Sequence, residues 1–352
     1  VGTRRPVFLD VDTGIDDALA LLYAAASPEL ELVGTGCVAG NVGVEDVVAN
    51  SIFVLRLAGR ADVPVLVGAA SPLRKPLETT VETHGPQGIG HAVRSDPTGT
   101  PADGSAAEHL VEEARRRPGE LELVTLGPLT NLALALDAEP RLPALLRRWT
   151  FMGGAFRVPG NTTPTSEWNI HVDPDAAQRC LEAWSAAIAS DPGIPRPLAM
   201  GLDVTEQARV LPEHVARLAR RAGAAAEDAA ALLDPASPMQ PAGSVASNPI
   251  LRYIVDSLRF YFEFHARYDG FYGAFVHDPF ALAATLDPSL VTTRPVPVAV
   301  EAGPGLAHGM TVADWRGIGG RPANVDVAVE GDAAAFVDRF IERVGALASR
   351  TA

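Results

Sequence analysis

Phe8-Leu9-Asp10-Val11-Asp12-Thr13-Gly14-Ile15-Asp16-Asp17-Ala18-Leu19-Ala20-Leu21 begins as a strand and ends as a helix. The apolar run Val7–Val11 predicts the first strand, Gly14 turns the chain, and a helix over Ala18–Ala26 stops at Ser27-Pro28. Asp10, Asp12, Asp16 and Asp17 therefore gather at the carboxyl end of a strand, the edge at which open α/β sheets bind ligands. A helix N-terminus favours negative charge, which accounts for Asp16 or Asp17 as a cap but not for all four. Carboxylates this close repel one another, and such a cluster raises a pKa or holds a hard cation.

The same alternation of short apolar runs and amphipathic stretches continues downstream. Strands are expected at Leu30–Ala39, Val63–Gly68, Leu121–Leu126, Trp149–Met152 and Leu198–Leu202. Helices are expected at Glu45–Ala58, at Leu132–Asp137, and from Asp173-Pro174 through Glu182, with Asp as N-cap and Pro at the first helical position. Strands alternating with helices predict an α/β fold, a Rossmann-like, mostly parallel sheet flanked by helices. Residues 203–270 change character: Ala/Arg-rich helical runs, a Pro/Ser/Gly-rich stretch at 234–249, then the aromatic run Ile250–Arg267. This reads as a helical insertion carrying a mobile loop inside one domain spanning 1–352. Residues 71–104, rich in Pro, Gly and Thr, form a second long loop, of a length that in a compact domain is either functional or disordered. Beyond Asp278 a helix, strands near Val296–Glu301 and Val325–Val329, and a final helix from Ala333 complete the pattern.

With 47% hydrophobic and 20% charged residues, the 352-residue chain can bury a large core. Its net charge of −14 repels phosphate backbones and argues against nucleic-acid binding. Lys75 is the sole lysine, so any chemistry that needs one must use it. Cys37 and Cys180 are too few for a disulfide framework and fit a reducing compartment. No apolar run is long enough to span a bilayer, and the basic start leads into a strand, not a signal-peptide core. The expectation is a cytoplasmic protein with no membrane partner.

Asp10-Val-Asp12-Thr resembles the phosphatases of the haloacid-dehalogenase type, whose first aspartate is a nucleophile and whose metal is magnesium. That reading needs a later lysine and a downstream acidic pair. Lys75 lies in a Pro-flanked loop, and the Asp332 of Gly331-Asp332 serves as a helix cap. A different second half is present. Asp10–Asp17, Gly40-Asn41, His84-Gly85, Gly127-Pro-Leu-Thr-Asn131, Met152-Gly-Gly154, Gly160-Asn161, Glu167-Trp-Asn-Ile-His-Val-Asp-Pro-Asp-Ala-Ala177 and His277-Asp-Pro279 resemble, in order, the nucleoside hydrolase family. The likeness is to its inosine–uridine preferring members.

That resemblance implies cleavage of the N-glycosidic bond of ribonucleosides to ribose and free base, with a tightly held calcium ion. It implies Asp12 as general base, and Asp12, Asp17, Asp278 and the Leu126 backbone carbonyl as metal ligands. Many members carry Thr where Leu126 stands, a change to which a carbonyl ligand is indifferent. Asn41, Asn161, Glu167 and Asn169 would line the ribose, with Asp16 on its 2′-hydroxyl and Asp10 structural nearby. Trp168 would form an aromatic wall, Met152 would lie near the sugar, and His84 would reach the sugar or base. Tyr261 and His265, one turn apart on a helix, are candidates for the base pocket. His277, beside Asp278, marks the branch that accepts inosine and uridine or pyrimidines alone. It is the leading candidate to protonate the leaving base, ahead of His265 and His84. Family members are commonly homodimers or homotetramers. A non-catalytic nucleoside binder is a third reading, against which the aspartate set and His277 both argue.

Overall fold

The computed structural model describes residues 4–94, 99–236 and 247–350. Its strands are β1 (Arg5–Val11), β2 (Leu30–Cys37), β3 (Val65–Val67), β4 (Ala102–Ser105), β5 (Glu122–Thr125), β6 (Arg148–Met152), β7 (Leu198–Met200), β8 (Arg209–Val210), β9 (Ala274–Phe275), β10 (Val291–Val296), β11 (Val298–Val300), β12 (Thr311–Ala313) and β13 (Val325–Gly331). One nine-stranded sheet runs β10-β13-β7-β6-β5-β1-β2-β3-β4. Its pairings are parallel except that of edge strand β10 with β13. The expected mostly parallel α/β sheet is the one the chain builds.

β1 is the centre because it can be buried on both faces. Val7, Phe8, Leu9 and Val11 are each at most 1% exposed, the continuous apolar run of a covered parallel strand. Helices Ile15–Ala25, Val44–Leu57, Pro249–Tyr268, His277–Leu286 and Ala333–Ala348 pack in one apolar cluster. Helices Ala106–Arg116, Thr130–Ala138 and Pro174–Ser190 pack in a second. Strand order reverses at β1: β2, β3 and β4 extend to one side, β5, β6 and β7 to the other. A crevice opens outside the carboxyl ends of two strands at such a reversal. Asp10 pairs in register with Thr125, and the Leu126 N–H donates to the Asp10 carbonyl at 2.7 Å. Asp12 and Leu126 thus emerge side by side.

Some boundaries move. The first helix begins at Ile15, not Ala18, which carries Asp16 and Asp17 into its first turn. β7 stops at Met200, and Leu202–Thr205 is a helical turn. The long loop 71–104 holds a turn of helix at Val81–His84 and ends in edge strand β4. Helix Ala106–Arg116 was not anticipated, although Ser105-Ala-Ala-Glu108 is a capping box: the Glu108 N–H donates to Ser105 Oγ and the Ser105 N–H to Glu108 Oε2. Region 203–270 is helical at Pro212–Arg221, Ala226–Leu233 and Pro249–Tyr268. Of its Pro/Ser/Gly-rich stretch, 237–246 lie outside the described residues.

Candidate active site

The floor of the site is made by carboxylates that the turn after β1 folds back on itself. Asp17 accepts the Gly14 N–H at 2.9 Å and the Asp12 N–H at 3.2 Å, capping its own helix from within. Gly14 is required there, since a Cβ would sit 2.7 Å from both Asn41 Nδ2 and His84 Nδ1. Asn41, just past β2, donates its N–H to Asp12 Oδ2 at 2.8 Å and its amide to Asp17 at 3.3 Å. Asp16 accepts the backbone N–H groups of His277 and Asp278 at the start of helix His277–Leu286. Oxygens of Asp16, Asp17 and Asp278 lie within 4.8 Å of one another.

Electrostatically this is a costly arrangement. Burial, aided by neighbouring carboxylates, pushes Asp10 up to about 7 and Asp16 up to about 8. Burial raises Asp17 to about 6 against the hydrogen bonds it accepts. Asp12 and Asp278 rise well above the ordinary carboxylate range, first through burial and then through their acidic neighbours. Asp12 Oδ1 is buried with no hydrogen-bond partner. All these donors are oxygens, and clustered hard oxygens fit a hard divalent cation. Asp10 is buried as well, and its Oδ1 accepts the Asn131 amide at 2.8 Å.

One wall of the site is built from β5, β6 and the short helix Trp168–Val172. Glu167 caps that helix, accepting the Asn169 N–H at 2.8 Å and the Ile170 N–H at 3.1 Å; it also accepts the Gly154 N–H at 2.9 Å. Gly154 has φ +86°, a left-handed turn that lets β6 end against Glu167. Asn169 donates to the Leu126 carbonyl at 2.6 Å and to the Met152 carbonyl at 3.2 Å. Asn161 accepts the Trp168 N–H at 3.0 Å.

A cavity of about 560 Å³ opens over this floor. Asp16, Asn41, Leu126, Met152 and Asp278 line its bottom, and Asn161, Glu167, Trp168 and Asn169 one wall. His84, Tyr261, His265 and His277 line the other. Asp12 and Asp17 are not among the lining residues; both are held by Asn41, which is. Sequence reasoning missed Glu206, Phe264, Tyr268, Asp269 and Phe275, which also face the cavity, together with Thr80, Glu82 and Thr83. Only Asp269 carried a signal, standing four residues after His265 on one helix face.

Comparison with known proteins agrees with this geometry. The family described as inosine-uridine preferring nucleoside hydrolase matches residues 7–338. A pyrimidine-specific ribonucleoside hydrolase of Salmonella paratyphi B is 36% identical over 340 residues, covering 96% of this chain and 98% of the relative. Among solved structures, a purine-preferring ribonucleoside hydrolase from Gardnerella vaginalis superposes with a TM-score of 0.84 at 28% identity, covering 98% of this chain and 100% of that one. A plant nucleoside hydrolase superposes at 0.81 with 29% identity, covering 97% and 99%.

Proposed function

This chain belongs to the inosine-uridine preferring nucleoside hydrolase family and hydrolyses the N-glycosidic bond of ribonucleosides; on that premise we propose that Asp12 is the general base, beside a calcium ion held by Asp12, Asp17, Asp278 and the Leu126 carbonyl. The observation that carries this reading is the buried Asp12 Oδ1, left without a hydrogen-bond partner in the same turn that brings oxygens of Asp16, Asp17 and Asp278 within 4.8 Å of one another. Calcium takes six to eight oxygen ligands, and β1, β5 and helix His277–Leu286 supply oxygens from three directions. When bound, the ion supplies the positive charge that makes a nearby water more acidic.

The remaining work falls to side chains. Asp12 accepts the proton of the attacking water. Asp16 takes the ribose 2′-hydroxyl, while Asn41, Asn161, Glu167 and Asn169 hold the sugar through donors and acceptors matched to vicinal hydroxyls. Negative walls favour the cationic character that develops at the anomeric carbon. Trp168 and Met152 close the sugar side, and His84, Tyr261, His265 and His277 form the base side. The inosine–uridine preference rests on His277 beside Asp278.

The phosphatase alternative is disfavoured by charge. Asp16, Glu82, Glu167, Glu206, Asp269 and Asp278 line the cavity, and its described lining includes no lysine or arginine. Lys75 instead contacts His171 and Glu78. Incubation with inosine, uridine and 5′-UMP separates the readings: free ribose from the nucleosides is expected, and phosphate release from 5′-UMP without ribose from either nucleoside would overturn the assignment. Family likeness also carries the proposals of a single unit over 1–352, a cytoplasmic location, and a homodimer or homotetramer readable by light scattering.

A further inference from the structure

The base side of the cavity is rich in hydrogen-bond acceptors. Glu206 lines it beside Asp269, and Thr205, the residue before Glu206, meets His277 Nδ1 at 2.8 Å. Burial and the Asp269 charge push the Glu206 carboxyl above the usual carboxylate range, and among the described residues no hydrogen bond relieves it. The cation that does act on it, Arg209, is not among the lining residues, and its guanidinium lies over the rings of Phe271 and Phe275 at 4.7 and 5.2 Å. Asp269 meets His265 Nδ1 at 2.7 Å. An ionised carboxylate only accepts, so the ring proton belongs on Nδ1. Burial pulls the His265 pKa below the usual histidine value, which leaves Nε2 of the neutral ring a lone pair. His265 is 4% exposed, and that Nε2 has no hydrogen-bond partner. Acceptors left without donors are costly, and a ligand N–H removes the cost.

Inosine and uridine share a feature at the edge of the base remote from the sugar. Hypoxanthine carries a hydrogen on N1 and uracil one on N3, each next to a carbonyl. Adenine and cytosine have a bare lone pair at the corresponding nitrogen. Resting on the hydrolase reading above, we propose that Glu206 determines base specificity by accepting this ring N–H, so that bases carrying it are selected over bases with a lone pair there.

The contact lies away from the scissile bond and moves no proton. Its selectivity comes from what Glu206 lacks: a carboxylate has no hydrogen to offer, so a cytosine or adenine lone pair turned toward it meets lone pairs. Asp269 and the His265 Nε2 repeat that penalty nearby, and the described lining holds no lysine or arginine to reverse it. Tyr261 and Tyr268 line the same wall and bring hydroxyl donors for the carbonyls that flank the ring N–H. A site built to accept a substrate N–H rejects the analogue without it more strongly than an apolar pocket rejects a change of shape.

The experiment measures kcat/KM by ribose release from uridine, 3-methyluridine, cytidine, inosine and adenosine, in wild type and Glu206→Gln. Wild type is expected to favour uridine over cytidine, and inosine over adenosine, by about 10–100-fold, the worth of one hydrogen bond to a charged acceptor. 3-Methyluridine keeps both carbonyls but lacks the N–H, and is expected to fall with cytidine. Glu206→Gln is expected to narrow the uridine-to-cytidine ratio to below about threefold, because an amide offers a donor to the cytosine lone pair as readily as an oxygen to the uracil N–H. An unchanged ratio in Glu206→Gln overturns the proposal. So does wild-type cleavage of cytidine as fast as uridine, the result expected if these carboxylates take an exocyclic amine instead. If Glu206→Gln does not fold, the wild-type ratios decide, and equal cleavage of uridine, 3-methyluridine and cytidine overturns the assignment. Ribose from none of the nucleosides overturns the hydrolase reading and this proposal with it, whereas ribose released without the ratio overturns this proposal alone.

Discussion

Asp12 holds its carboxylate by one oxygen and leaves the other bare: Oδ2 accepts the Asn41 N–H, while Oδ1 is buried and unpaired. Gly40 and Gly127 pack directly on that carboxyl, where a Cβ on either would collide with it. A side chain so confined is suited to one position and one task. Asp12→Asn keeps the shape and the Asn41 contact but removes the base and a ligand charge. We expect kcat on uridine to drop at least about 10²–10⁴-fold with an unchanged circular dichroism spectrum; hydrolysis within tenfold of wild type would sink the assignment. Residues of this kind were legible because four aspartates sit in one strand–turn–helix. Asp278 was reachable only through resemblance, since it stands 261 positions beyond Asp17 and nothing local links them. Glu206 and Phe275 were illegible for the same reason: each is an ordinary residue until the helical segment folds over the cavity.

Elements were read best where burial dictated the pattern. β1, covered on both faces, announces itself as an unbroken apolar run, whereas edge strand β4 is Ala-Asp-Gly-Ser, a sequence that reads as a turn. The capped helix that follows it has its apolar residues at 106, 107, 110, 111 and 114, a helical spacing that together with the Ser105–Glu108 capping box does mark it in the sequence. Between elements, Asn131 does more than its place in a turn suggests. It donates to Asp10 Oδ1 at 2.8 Å and to the Cys37 carbonyl at 3.1 Å, and accepts the Ala69 N–H at 2.8 Å. One amide thereby ties β1, β2 and the segment after β3 to helix Thr130–Ala138. Asn131→Ala leaves two buried polar groups and one half-buried group without this partner. It should lower stability by about 2–4 kcal/mol, given roughly 1–3 kcal/mol for each unsatisfied group and partial relaxation. Urea unfolding reads this directly, and a loss under about 0.5 kcal/mol, the size of a neutral surface change, would show that the tie is dispensable.

At the scale of the molecule, the fold concentrates negative charge at the sheet's reversal point while its surface is already acidic, with a net charge of −14. Stability should therefore depend on what neutralises the cluster. In protein stripped of metal, Asp10, Asp16 and Asp17 hold their protons up to about 7, 8 and 6, whereas in the unfolded chain they lose them near the ordinary carboxylate value of about 3.9. Between those limits the folded state binds more protons than the unfolded one, so stability falls as pH rises. The contribution is complete below about pH 4 and is lost as pH climbs through the 6–8 window of the folded groups. Calcium acts in the opposite sense. As the ion proposed for this site, it would bind the ionised carboxylates of the folded state and add about 2.7 kcal/mol when present at about a hundred times its Kd. The gap in Tm between calcium-loaded and chelated protein should thus be small at pH 5 and widen steadily to pH 8. A chelated protein whose Tm is flat across that range, or whose Tm equals that of the loaded form at pH 8 after verified metal removal, would mean that the cluster is neutralised from within and holds no ion.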